Sequence, residues 1–97
     1  MLVVIATVPG KPAKRAEILA ALATCAAASR SDQGCQSYAF WSDVEDEDSY
    51  ASIETWDSQA DLDAHMGQPH TLALVGALGD LVTGAPVITT YDVAEVR

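Results

Sequence analysis

The side chains best suited to chemistry lie in one stretch: Glu54, Trp56, His65 and His70. An imidazole exchanges protons near neutral pH, so His65 is a candidate general base. Its plainer alternative is a helix-end histidine that bonds a backbone carbonyl. His70 follows Pro69 and opens the next apolar segment, where it could contact a ligand. As a metal pair the two histidines are badly spaced. They stand five apart with Gly67 and Pro69 between them, not at i,i+4 on one helix, so no metal is expected. Trp56 offers a flat aromatic face and one N–H donor, for stacking on a ligand or for filling the core at a strand end. Glu54 is a lone carboxylate among residues that otherwise pack. It could orient His65 or Trp56, bond across a sheet, or face solvent. Tyr38 and Tyr50, with Phe40 and Trp41, could line an aromatic pocket or fill a core and an interface.

Two other clusters carry less. Asp43 to Asp48 holds five acids in six residues. Asp43, Glu45, Glu47 and Glu54 even fall at positions one, three, five and twelve of a calcium loop. Position six is Asp48 rather than Gly, however, and a strand begins at Ser49, so a solvated hairpin is expected. Cys25 and Cys35 are not at CxxC spacing, and no basic pair beside either would lower a thiol pKa. Both read as buried thiols of a cytoplasmic protein.

These residues need a frame to hold them. Leu2 to Val8 is β-branched and apolar on both alternating faces, which suits a strand covered on both sides. Pro9-Gly10 ends it. Ala13 to about Ser29 reads as an Ala- and Leu-rich helix with Ile18, Leu22, Cys25 and Ser29 along one face. Lys11, Lys14 and Arg15 crowd its start, where bases oppose the helix dipole. Cys35 to Ser42 is a second strand, with Tyr38 and Phe40 on one face and Cys35, Ala39 and Trp41 on the other. Ser49 to Trp56 is a third, with Tyr50, Ser52, Glu54 and Trp56 sharing a face. Asp57 or Ser58 caps a short helix to about Met66. A third helix runs from His70 to about Leu81, and Val87 to Val93 is the last strand. The order β-α-β-β-α-(α)-β is that of an α+β, ferredoxin-like split βαβ fold, a four-stranded antiparallel sheet with helices on one face.

Composition bounds the partners. The chain has 97 residues, enough for one domain spanning 1–97, and a net charge of −9. Fourteen acids against 5 Lys+Arg argue against nucleic acid and anionic membranes, and from Ser31 to Val96 there is no Lys or Arg at all. No charged region precedes the first apolar run, which is too short for a signal segment, and no stretch is long enough to span a bilayer. Apolar types make up 49% of a chain too small to bury them all. The sheet face without helices should be polar if it meets water, yet strands one and two are apolar on both faces. A second sheet, most simply from an identical subunit, is expected to cover it.

Three stretches, taken in order, resemble a known family. Met-Leu-Val-Val-Ile-Ala opens the chain, Gln33-Gly34-Cys35-Gln36-Ser37-Tyr38 follows, and Glu54-Thr55-Trp56-Asp57-Ser58 leads into Leu62-Asp63-Ala64-His65-Met66 and Pro69-His70. Together they resemble the antibiotic biosynthesis monooxygenase domain, and the E-x-W-x-S…L-x-x-H…P-H series resembles its quinol monooxygenase branch. The resemblance covers about residues 1 to 93. It implies a homodimeric α/β barrel with a pocket between sheet and helices in each subunit. It further implies oxidation of a quinol or other hydroxylated aromatic by molecular oxygen, with no metal, flavin or haem. An electron-rich phenolate can pass an electron to oxygen itself, so the protein need only bind the ring, exclude water and assist deprotonation.

On that reading His65 assists deprotonation and Trp56 holds the ring, while Tyr38, Tyr50, Glu54 and His70 contact the substrate. Members that oxidise polyketide anthrones match at Trp56, but their Asn, Tyr and Arg fall at Ser52, Leu62 and Gly76 here. Haem-degrading relatives place an iron-ligating histidine near Val75 and an Asn on strand one; neither is present. The alternative to an enzyme is a dimeric barrel that sequesters a small apolar molecule without turnover.

Overall fold

The computed structural model describes residues 1–97. Its elements are β1 (Leu2–Pro9), α1 (Arg15–Ser29), β2 (Cys35–Ser42), β3 (Ser49–Trp56), α2 (Gln59–Met66), α3 (Pro69–Leu78) and β4 (Val87–Asp92). The strands form one antiparallel sheet in the order β2-β3-β1-β4. This is the α+β, ferredoxin-like arrangement the alternation predicts, with β3 between the two strands that α1 joins. The third helix is shorter than expected, because it ends at Leu78 before Gly79.

Period-2 alternation divides the sheet into two faces. Val4 on β1 lies between Glu54 on β3 and Thr90 on β4, and Glu54 in turn pairs with Tyr38 on β2. These residues face the helices. Ile5, Ile53, Ala39 and Thr89 occupy the next register row on the bare face. One assignment needs correction. Cys35 pairs with Trp56 while Ser37 pairs with Thr55, so Gln36 is an extra residue in β2. That bulge carries Cys35 to the helix face, where it packs on the core rather than beside Ala39 and Trp41. A bulge shifts the parity of alternation, and nothing in the local residue types marks it. Cys35 is also half-buried rather than buried; both thiols are free.

Helices and sheet enclose two apolar clusters. One joins Leu2, Val4, Ala26, Tyr38, Trp56 and Leu62. The other joins Val8, Ile18, Leu22, Tyr50, Leu78 and Leu81, and Phe40 touches both. The Ile18, Leu22, Cys25, Ser29 face of α1 is buried as its periodicity predicts.

Tertiary contacts account for the bases at the start of α1. Arg15 donates to the Glu47 carbonyl (2.6 Å) and to Ser42 Oγ (3.1 Å), and its guanidinium lies 5.5 Å from the centre of the Tyr50 ring. Lys11 donates to the Asp80 carbonyl at 3.0 Å. These side chains tie the helix start to the hairpin and to the end of α3, which outweighs the small dipole cost. The acidic hairpin closes on itself: the Asp43 and Asp46 carboxylates accept the backbone N–H of Glu45 and Asp48.

Candidate functional site

α2 begins at Ser58, whose hydroxyl accepts the Asp61 N–H and donates to the Asp61 carboxylate. That cap sets the phase of a two-turn helix. Leu62 and His65, three apart, then share its inner face and are both buried. His65 is 2% exposed. Its ring lies 4.7 Å from the Trp56 ring and 5.4 Å from Tyr38, centre to centre.

Its polar partner comes from elsewhere. His65 Nδ1 stands 2.7 Å from Asp32 Oδ2, and His70 Nε2 stands 2.8 Å from the same oxygen. Thr71 Oγ1 adds a longer contact to His65 Nδ1, 3.4 Å. Asp32 sits in the turn after α1. Its N–H bonds the Ser29 carbonyl, its carbonyl accepts from Cys35, and the Gly34 carbonyl accepts from Asp57 at the end of β3. Gly34 has φ +78, and a Cβ there would lie 2.2 Å from the Asp61 carboxylate. Only glycine supplies both the left-handed backbone and the close approach to α2. The turn is thus pinned beside α2, with its carboxylate against the two imidazoles.

With Nδ1–H directed at a carboxylate, His65 keeps its lone pair on Nε2, which has no hydrogen-bond partner in the protein. His65 lines a cavity of about 310 Å³ between the sheet and helices α2 and α3. Val4, Val8, Phe40, Leu74 and Leu78 give it mostly apolar walls, and Ile88 lies toward its open side on β4. Glu54 also reaches the cavity, yet both of its oxygens are engaged. Oε1 accepts the Trp56 indole N–H at 3.0 Å, and Oε2 accepts the Ser52 hydroxyl at 2.5 Å. Glu54 therefore orients Trp56 and makes no bond to His65.

Of the expected site residues, His65, Tyr38 and Glu54 line the cavity; Trp56, Tyr50 and His70 do not. Trp56 is completely buried behind His65, so it supports the imidazole from below instead of holding a ligand. Tyr50 belongs to the second apolar cluster, under the start of α1. His70 turns to Asp32 instead. Tyr38 presents its ring to the cavity, while its hydroxyl lies against Cys25 and Ser29. Burial, then the nearby Glu54 carboxylate, pushes that phenol far above the usual tyrosine range. It stays neutral and is no base.

Asp32 is the functional residue that the sequence reading missed. It stands in a Ser-Asp-Gln-Gly turn, where its type is fully explained as a helix stop. The same fold places one ligating atom each from Asp32, His65 and His70 within 4.8 Å of one another. The five-residue spacing of the histidines disfavoured such a meeting, because it assumed one continuous helix. The break at Gly67-Gln68 lets α3 start in a new direction and turn His70 back toward His65.

Known proteins of this shape are numerous. Rv0793 of Mycobacterium tuberculosis superposes with a TM-score of 0.91 at 26% identity, over 98% of this chain and 96% of that one. A protein of Caulobacter crescentus CB15 gives 0.91 at 32% identity, over 97% and 90%. An uncharacterized protein of Synechocystis, sll1783, is 33% identical over 96 residues, 99% of this chain; the chain spans 65% of that protein's length. Residues 1–77 match the family described as antibiotic biosynthesis monooxygenase, which covers both strands of the hairpin, the Asp32 turn and both histidines. The chain belongs to the antibiotic biosynthesis monooxygenase family.

Proposed function

We propose that the protein is a cofactor-independent monooxygenase that oxidises a quinol or another hydroxylated aromatic with molecular oxygen. The observation that carries this reading is the Asp32–His65 pair at the wall of an apolar cavity, with Nε2 of His65 unbonded. A phenolic ring fits the chemistry of that cavity: apolar walls for its faces and one base for its hydroxyl. His65 takes the phenol proton at Nε2, and the Asp32 carboxylate stabilises the imidazolium that forms. The low-dielectric walls keep water from the electron-rich anion, which passes electrons to oxygen. For a hydroquinone the balance closes without an added reductant. One oxygen atom stays on the ring as the hydroxyquinone, and the other leaves as water with two hydrogens from the substrate.

The same proposal includes a homodimer. The bare sheet face exposes Trp41 (61%), Ile53 (45%) and Tyr91 (51%), and a second copy would cover it sheet to sheet. It also includes a cytoplasmic location, which two free thiols favour. No helix is long and apolar enough to cross a membrane.

The test is oxidation of a menadiol-like quinol under air and under nitrogen, with product oxygen traced from labelled dioxygen. Labelled hydroxyquinone from the wild type, absent without oxygen and sharply reduced in His65→Ala, is the expected result. Turnover that continues unchanged under nitrogen or in His65→Ala overturns the proposal. One observation favours a second reading, a binding barrel without turnover: the cavity holds few free polar groups to grip a substrate, since the Ser52 hydroxyl is already committed to Glu54. Saturable binding of the quinol with no product by mass spectrometry would select that reading.

A further inference from the structure

We propose that Asp32, His65 and His70 form a site for a divalent transition-metal ion whose binding switches His65 off as a base. The inhibitory part rests on the catalytic reading above; the binding part does not.

Three elements contribute one donor each: the turn after α1, the end of α2 and the start of α3. Both imidazole nitrogens already meet the same carboxylate oxygen, at 2.7 and 2.8 Å. Bonds of zinc to nitrogen and oxygen donors in a tetrahedron put neighbouring donors about 3.3 Å apart. To admit an ion, the two carboxylate–imidazole edges open by about half an ångström, and the two imidazole nitrogens, which lie within 4.8 Å of each other, swing together to about the same spacing. Two imidazoles and one carboxylate suit zinc, cobalt or iron(II) and not calcium or magnesium, which prefer oxygen alone. Thr71 Oγ1, 3.4 Å from His65 Nδ1, borders the fourth position, and His70 (19% exposed side chain) provides the route from solvent.

Charge points the same way. The Asp32 side chain is 8% exposed, and no lysine or arginine pairs with it; its only ion-pair partners are the two histidines. With both imidazoles neutral, the cluster carries one uncompensated negative charge in a nearly buried position. The net charge of −9 raises the local concentration of cations around it.

The consequence follows from the two nitrogens of one ring. A metal on Nδ1 of His65 displaces the proton that Asp32 holds there. A neutral ring must then carry its proton on Nε2, the nitrogen that no protein group bonds. The lone pair required for phenol deprotonation is gone. The ion at this site is thus an inhibitor of the proposed chemistry and not its cofactor.

Tag-free, chelator-treated protein titrated with Zn²⁺ in a calorimeter tests the site, with Co²⁺ absorption reporting the geometry. The expected result is one ion per chain and a tetrahedral cobalt spectrum. His70→Ala, at a partly exposed position, should weaken binding at least tenfold. Glu45→Gln with Glu47→Gln in the acidic hairpin should leave it unchanged. No binding up to millimolar zinc, or equal affinity in His70→Ala, overturns the site; loss of binding in the hairpin variant places the ion in the hairpin and overturns it too. Turnover of the quinol should fall in proportion to zinc occupancy and return with chelator. Binding at the site with undiminished turnover overturns the switch. Binding at the site in a protein that never turns over a quinol retains the site and removes the catalytic reading.

Discussion

The two faces of the sheet have similar residues and opposite fates. On the helix face, Val4, Tyr38, Glu54 and Trp56 are all nearly buried, and polar groups among them have partners. On the bare face, Trp41, Ile53, Val87 and Tyr91 are each close to half exposed or more. Both faces are rich in β-branched and aromatic side chains. The difference lies in which face also holds groups that can ionise. Glu54 and the Asp32–His65–His70 cluster lie on the helix side, where dehydration strengthens every electrostatic contact. The bare face displays no acid or base in its central rows. One face gathers the ionisable groups and the other displays uncharged, largely apolar side chains.

Substitutions can break that contrast, beginning with the largest effect. On the helix side, His65→Ala should lower quinol turnover by about 10²–10⁴-fold, the usual share of a general base, read from initial rates under air. Trp56→Ala should destabilise the fold by about 3–5 kcal/mol in urea titration, because it empties a fully buried site and leaves Glu54 Oε1 without its donor. Asp32→Asn keeps the shape and removes the charge. A charge-assisted hydrogen bond is worth about 1.5–3 kcal/mol, so turnover should drop about ten- to 100-fold. On the bare face, Ile53→Lys should convert a sedimenting dimer to monomer while the cavity still binds its ligand, at a cost of about 1.5–3 kcal/mol per lost side chain. A wild type that sediments as a monomer would remove the second copy from the proposal.

The smallest effect concerns Cys35, which the bulge moves to the helix side. Burial first, then the Asp32 and Glu54 carboxylates, raises its thiol above the ordinary value of 9.0, against a smaller opposing pull from Arg30. The reactive thiolate is therefore scarcer than in free cysteine at any pH below that range. Iodoacetamide labelling at pH 8 should lag behind free cysteine several-fold, and the rate should keep climbing at pH values where the free thiol has levelled off. Equal rates at pH 8 would show that the side chain does not sense the helix-side environment.

Local pattern made most of the frame legible. The bounds of β2 and β3 follow from alternation between the helix stop at Ser31-Asp32-Gln33-Gly34, the acidic hairpin and the Ser58 cap. The buried face of α1 follows from its 3.6-residue period. The site was legible only in part. His65 and Glu54 stood out because an imidazole and a lone carboxylate are conspicuous in apolar elements. Trp56 stood out too, yet its role did not, because a tryptophan under a histidine and one over a ligand have the same sequence. Tyr50 shares the parity of Glu54 and Trp56, but lies toward the other end of β3, against α1 rather than the cavity.

The sequence alone determined what short-range forces decide: strand and helix periods, the turn chemistry at Pro9-Gly10 and Gly34, the split βαβ order, and the presence of apolar side chains beyond what one small core can bury. Only the tertiary structure decided which polar groups meet. Asp32 lies 33 residues from His65 and 38 from His70 along the chain, and its reach depends on the path of α1, the Gly34 turn and the break between α2 and α3 acting together. Side-chain charge at one position carries no information about its partner until the backbone closes the loop between them. That closure is what turns a helix-stop aspartate into the group that holds two histidines.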